Sequence, residues 1–194
     1  MGKMKNLLLM TLLVLSSFSI SAKQILLGPN SNSQEEIQEA LIDLKPGDVL
    51  TLEPGEYFFE DGISLDVDDV IFEGSGIDDT ILHFGDQVSG AQGLLVTSDG
   101  VTLRDFAVLD AKGDAIKVIG ADGISMIRLR TEWTGGPKES NGAYGFYPVE
   151  SKDVLIDGCV AIGASDAGIY VGQSQNIIVK NSVAQYNVAG IEIE

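Results

Sequence analysis

The chain is poor in reactive side chains. Its 194 residues include one cysteine, Cys159, and one histidine, His83. A lone cysteine excludes an internal disulfide and leaves the redox compartment open, and Cys159 reads most simply as a small buried apolar residue. A single histidine near a strand end reads as structural. Positive charge is also scarce: 12 Lys and Arg stand against 29 Asp and Glu, for a formal net charge of −17. Such a surface repels nucleic acid and anionic membrane, so neither is an expected partner. It also repels acidic polymers unless a cation bridges the two. Beyond the N-terminus no apolar run approaches the length of a membrane span. Gly74, Ser75 and Gly76 lack the lysine and helix of a phosphate loop, and no acidic stretch has EF-hand spacing. At 44% hydrophobic residues the chain suits one domain with a real core.

What is present is a repeat. The stretch DVLIDGCVAIGASDAGIYVGQSQNIIVKNSVAQYNVAGIEIE, Asp153 to Glu194, says nearly the same thing twice at an offset of about 23 residues, a spacing typical of stacked units. Each unit holds two short runs of alternating apolar residues punctuated by Gly, Asn, Asp and Ser. Parallel strands joined without helical crossovers fit a coil in which each strand pairs with its copy one turn away. The pattern therefore predicts an all-β, single-stranded, right-handed parallel β-helix. Aligned on Asp48, Asp69, Gly100, Gly123, Asp153 and Asn176, its first strands point Val101/Leu103, Ile124/Met126, Val154/Ile156 and Ile177/Val179 inward. After a bend, Phe106, Leu129, Cys159 and Ser182 share an inward column.

Three segments frame the coil. Residues 1–22 read as a secretory signal peptide: Lys3 and Lys5, then LLLMTLLVL, then small residues ending at Ala22. This predicts a periplasmic or secreted protein whose net charge deepens by two on processing. Residues 23–47 read as a cap. Ser33 and Glu36 suggest a capping box, Ile37, Ala40, Leu41 and Leu44 share one helical face, and Pro46 with Gly47 ends the helix. A helix here would cover the raw edge of the first turn. Residues 48–194 are the coil, which ends in mid-strand at Ile191 to Glu194 without a closing element and so is expected to be cut short. Two insertions, Gly85 to Gly93 and Thr131 to Gly142, enter at the same phase of the repeat, which predicts two loops projecting beside one sheet.

The stretch IQEALIDLKPGDVLTLEPGEY, Ile37 to Tyr57, resembles the opening of pectin-lyase-like right-handed β-helix proteins. That superfamily includes lyases, hydrolases, epimerases, adhesins and metal-loading accessory proteins, so the resemblance implies a fold and not a function. The stretch from Tyr144 to Val154, YGFYPVESKDV, is similar to a rung of the periplasmic mannuronan C5-epimerases. In those enzymes the following rung carries an Asp-Pro-His-Asp motif with the catalytic histidine. The matching positions here are Tyr170, Val171, Gly172 and Gln173, which carry neither acid nor histidine. The stretch from Gly163 to Gln173 also resembles an uncharacterised group of exported bacterial β-helix proteins.

The outward positions of the later strand in successive units are Leu95, Lys117, Tyr147, Tyr170 and Glu192, stacked at the strand spacing of about 4.8 Å. The neighbouring loop adds Glu132, Trp133, Lys138 and Asn141. Aromatic faces flanked by polar groups suit a sugar ring, although outward Tyr and Lys are also ordinary β-surface residues. The sequence thus predicts a carbohydrate-associated binding or scaffold protein of the cell envelope with Lys117, Tyr147, Tyr170, Trp133, Glu132, Lys138 and Glu192 as its ligand-binding residues. A polysaccharide lyase or uronate C5-epimerase is the alternative. Lys117, Tyr147 or Tyr170 would then have to serve as base after a large downward pKa shift. Asp114 and Asp166, ahead of two such strands, read mainly as turn formers. Weak calcium binding is their other reading. Nothing in the sequence fixes a cofactor or an oligomeric state.

Overall fold

A computed structural model describes residues 22–30 and 32–194. The expected signal peptide, residues 1–22, lies outside the described residues except for Ala22. β1 (Gln24–Leu27) precedes α1 (Ser33–Asp43), and the chain then winds through six turns of three strands. These are β2 (Val49–Leu52), β3 (Gly55–Phe58) and β4 (Asp61–Leu65); β5 (Ile71–Glu73), β6 (Thr80–His83) and β7 (Ser89–Val96); β8 (Thr102–Arg104), β9 (Ala107–Leu109) and β10 (Asp114–Ile119). The last three turns are β11 (Ser125–Ile127), β12 (Arg130–Glu132) and β13 (Phe146–Val149); β14 (Lys152–Asp157), β15 (Val160–Ile162) and β16 (Ala167–Val171); β17 (Gln175–Lys180), β18 (Val183–Gln185) and β19 (Ala189–Ile193).

Every strand pairs in parallel with its counterpart one turn away, giving one seven-stranded and two six-stranded sheets. The first sheet runs β1-β2-β5-β8-β11-β14-β17, the second β3 through β18, and the third β4 through β19. The sequence suggested two strands per turn. The structure has three, because the middle strand is three residues long in β9, β12, β15 and β18 and so reads as a bend.

The recurring Gly, Asp and Asn positions are corners. Asp69, Gly100, Gly123, Asp153 and Asn176 all have φ between 52° and 73°, a backbone state that Gly, Asn and Asp tolerate best. A second corner column, Asp105, Arg128, Gly158 and Asn181, has φ between 47° and 66°. The corners let the alternation restart on each flat side, so inward residues stack into columns. Val101, Leu103, Ile124, Met126, Val154 and Ile156 are buried, as are Phe106, Leu129 and Cys159. Burial pushes the Cys159 thiol up to about 11, which keeps it an inert core residue at neutral pH.

α1 closes one end of the coil with Ile37 and Leu41 fully buried. The expected capping box is displaced by one turn of chain. Ser33 is already helical, its hydroxyl accepts from the Asn30 N–H at 2.7 Å, and Glu36 accepts from the Asn30 side-chain amide at 2.8 Å. Two glutamines on α1 replace the strand that β4 lacks on its outer side. Gln34 Oε1 accepts from the backbone N–H groups of Glu60 and Asp61, at 2.6 and 3.2 Å. Gln38 both accepts from Ser64 N–H at 2.8 Å and donates to Ser64 C=O at 3.0 Å. Removing the pair of bonds by Gln38→Ala is expected to cost about 1 kcal/mol and to speed amide exchange at Ser64. Unchanged exchange there would mean that the glutamine is decoration.

The last turn described is β17, β18 and β19. Among the described residues nothing pairs with the outer edges of these three strands. Ile178, Val183, Ile191 and Ile193 are exposed, Ile193 at 76%. Among the described residues no helix is long and apolar enough to cross a membrane.

Candidate functional site

The outer face of the third sheet carries the ladder that the sequence predicts. Strand register places Ser64 beside Leu95, Leu95 beside Lys117, Lys117 beside Tyr147, and Tyr170 beside Glu192. Tyr147 and Tyr170 share that face with ring centroids 5.1 Å apart, edge to face. Lys117 Nζ lies 4.6 Å from the centre of the Tyr147 ring and 3.8 Å from Asp114 Oδ2. The predicted ladder of Lys117, Tyr147, Tyr170 and Glu192 is therefore one continuous column.

A third ring completes it. Tyr144, at the end of the long loop, stacks on Tyr170 with centroids 4.5 Å apart and tilts against Tyr147 at 4.7 Å. The loop reaches this place because the Ala115 N–H donates to Tyr144 C=O at 2.8 Å and the Asp166 N–H donates to Ala143 C=O at 3.1 Å. Tyr170 is 8% exposed beneath Tyr144, whereas Tyr144 and Tyr147 are half-buried.

Carboxylates ring the phenols. The Tyr170 hydroxyl donates to Glu194, two residues beyond its register partner, because a long strand side chain leans along the strand. That bond, then burial, holds the Tyr170 phenol well above the usual range. Burial, then the Asp166 carboxylate to which it is hydrogen-bonded, pushes Tyr144 up to about 12. Burial and then Asp114, Glu194 and Glu150 raise Tyr147. Asp114 is itself raised by burial, with Lys117 and the Tyr144 backbone N–H pulling it back. All three phenols are thus protonated donors at neutral pH.

Three predicted residues fall elsewhere. Trp133 is 4% exposed, and its indole N–H donates to Ala111 C=O at 2.7 Å, so its faces pack in the core and offer no platform to a ligand. Glu132 lies on the outer face of the second sheet, in register with Leu109 and Ile162, and sits 3.6 Å from Arg130 Nε. Lys138 lines a hollow of about 240 Å³ with Tyr186, Asn187 and Val188, away from the three rings. Asn141 is spent on the loop itself, donating to Gly136 and Gly163 C=O. The first insertion does not project as expected. Most of it extends β7, which pairs back along β4 from Asp61 and Ser89 onward.

Sequence reasoning missed Tyr144 and Glu194, and passed over Asp114 and Asp166 as turn formers. Glu194 has the same strand parity as Glu192, which is a usable signal. Tyr144 has none, because a loop has no register. The acid clusters elsewhere serve corners: Asp68 accepts from Asp99 N–H, Asp99 from Asp122 N–H, and Asp110 from Thr134 N–H. Among the described residues no three His, Cys, Asp or Glu side chains converge to hold a metal ion.

The family described as "Right handed beta helix region" matches residues 61–194. Among solved structures, the chain is similar to the A-module of mannuronan C-5 epimerase AlgE4 from Azotobacter vinelandii, with TM-score 0.63 and 19% identity over 83% of this chain and 48% of that one. It is also similar to the PL6 family alginate lyase AlyGC, with TM-score 0.56 and 15% identity over 89% of this chain and 28% of that one. A third is an alginate lyase from Paenibacillus sp. str. FPU-7, with TM-score 0.54 and 15% identity over 88% of this chain and 68% of that one. The chain spans about half the length of the first of these and just over a quarter of the second. At these identities the likeness is one of fold. No curated protein matches the sequence.

Proposed function

The chain belongs to the right-handed β-helix family, and from that premise we propose that it is an exported carbohydrate-binding or scaffold protein of the cell envelope. The observation that carries this reading is the three-ring cluster Tyr144, Tyr147 and Tyr170 on the outer face of the third sheet. Aromatic rings present C–H-stacking surface, and the surrounding phenols and carboxylates offer hydrogen bonds to hydroxyls. The basic and apolar N-terminal stretch supports export, and the company of polysaccharide-acting β-helices supports a glycan. Tyr147→Ala is expected to weaken glycan binding about tenfold without unfolding the coil, since the ring lies outside the core. Calorimetric titration with an oligosaccharide panel measures it, and equal affinity in the variant would reject the site.

The fold's neighbours make a lyase or uronate epimerase the second reading. Abstraction of the uronate C5 proton requires a base, and burial and nearby carboxylates push every phenol here away from that role. The same titrations with alginate, followed by product analysis, are expected to yield neither unsaturated nor inverted uronate. Either product would replace the binding reading with an enzymatic one.

A further inference from the structure

We infer that the tyrosine cluster selects glycans bearing protonated amines, of the glucosamine type, over uronates. This rests on the carbohydrate-binding reading above and names its ligand class.

The argument begins with the faces of the rings. An aromatic face attracts an ammonium through its quadrupole, and Tyr and Trp clusters with nearby acids are a recurrent solution for cationic ligands. The cluster already holds one such contact of its own: the Lys117 ammonium over Tyr147 at 4.6 Å. The ring is therefore placed so that a cation can reach it. The charges around the rings favour the same class. Asp166 and Asp114 act on Tyr144, Asp114, Glu194 and Glu150 on Tyr147, and Glu194 on Tyr170; Asp166 accepts directly from Tyr144 and Glu194 from Tyr170. Among the described residues Lys117 is the one cation of the group, and Asp114 occupies it at 3.8 Å. Four carboxylates therefore surround the rings against one ammonium that is already engaged, so the local field is negative. A uronate would bring a further carboxylate into that field, whereas a glucosamine would bring its counter-charge.

Lys117 then has a specific part. Its ammonium occupies the place over Tyr147 that a ligand amine would take. Removing it vacates the ring and deepens the negative field. A uronate site would behave in the opposite way, because there Lys117 would be the group that neutralises the ligand.

The experiment uses the full chain and three sets of hexasaccharides: glucosamine, N-acetylglucosamine and mannuronate oligomers. The first two share a backbone and differ in charge. Titrations at about pH 5.5 keep ordinary carboxylates ionised while amines are protonated, and salt near physiological strength screens the general pull of the acidic surface. Glucosamine oligomers are expected to bind at least tenfold tighter than N-acetylglucosamine oligomers, with mannuronate weakest. Lys117→Met should tighten the glucosamine complex several-fold. Tyr144→Ala, which changes no charge, should weaken it about tenfold. Equal binding of the charged and acetylated oligomers, tightest binding of mannuronate, or loss of glucosamine binding in Lys117→Met would each overturn the amine preference while leaving a carbohydrate site in place. Glucosamine binding indifferent to Tyr144→Ala would reduce the effect to surface charge and overturn it too. Failure of all three oligomers to bind would sink the carbohydrate reading itself.

Discussion

Trp133→Ala is expected to destabilise the protein by about 3–5 kcal/mol, the range for deleting a large buried aromatic side chain. The indole is packed at the corner after β12 and reaches one full turn back to hydrogen-bond Ala111 C=O. The truncation therefore leaves both a cavity and an unpaired carbonyl. Trp133→Phe separates the two effects. It keeps most of the ring and loses only the N–H, so its cost should fall nearer to about 1–3 kcal/mol, that of an unsatisfied buried acceptor. Denaturant midpoints measure both. If Trp133→Ala left the midpoint in place, or if Trp133→Phe abolished glycan binding at unchanged stability, the indole would belong to a binding surface after all.

Gly142→Ala is the second large effect, and its cause is space rather than backbone angle. A Cβ at Gly142 would sit 1.7 Å from Gly113 C=O oxygen and 2.7 Å from Trp133 Cζ2. One turn earlier, a Cβ at Gly113 would sit 1.9 Å from Ala91 C=O oxygen. The chain thus crosses itself backbone on backbone at the entrance to successive third-sheet strands, and only a hydrogen fits. Overpacking of this kind typically costs about 1–3 kcal/mol, and here the obstacle is main chain, which cannot rotate away. Because Tyr144 follows two residues later, the same substitution should displace its ring. A lowered midpoint together with weaker glycan binding is expected. A variant with wild-type stability would show that the turns separate more freely than their spacing suggests.

The faces of the coil were legible in the sequence because two periods act together. Strand alternation decides in from out, and the repeat of about 23 residues decides which residues stand above one another. That placed Lys117, Tyr147, Tyr170 and Glu192 in one column, and Val101 through Ile156 inside. Trp133 was misplaced although its signal was present: it lies two residues beyond inward Thr131 and shares its parity, but it was read as part of the loop that begins at Thr131. Tyr144 was out of reach for a different reason. Its position depends on how twelve or so loop residues return to the sheet, through bonds to Ala115 and Asp166 that no local pattern encodes. The hydrogen-bonding of α1 was half visible. Its buried face follows from helical spacing, whereas the use of Gln34 and Gln38 as a stand-in strand requires knowing which edge they meet.

The aromatic column has a thermodynamic consequence. In a solenoid each turn touches only its neighbours, so the layers can loosen one at a time. The column spans consecutive layers: Lys117 on β10, Tyr147 on β13, Tyr170 on β16, and Glu194 just past β19. A ligand lying along the column, as proposed above, would bridge these layers and act as a clasp that holds them together.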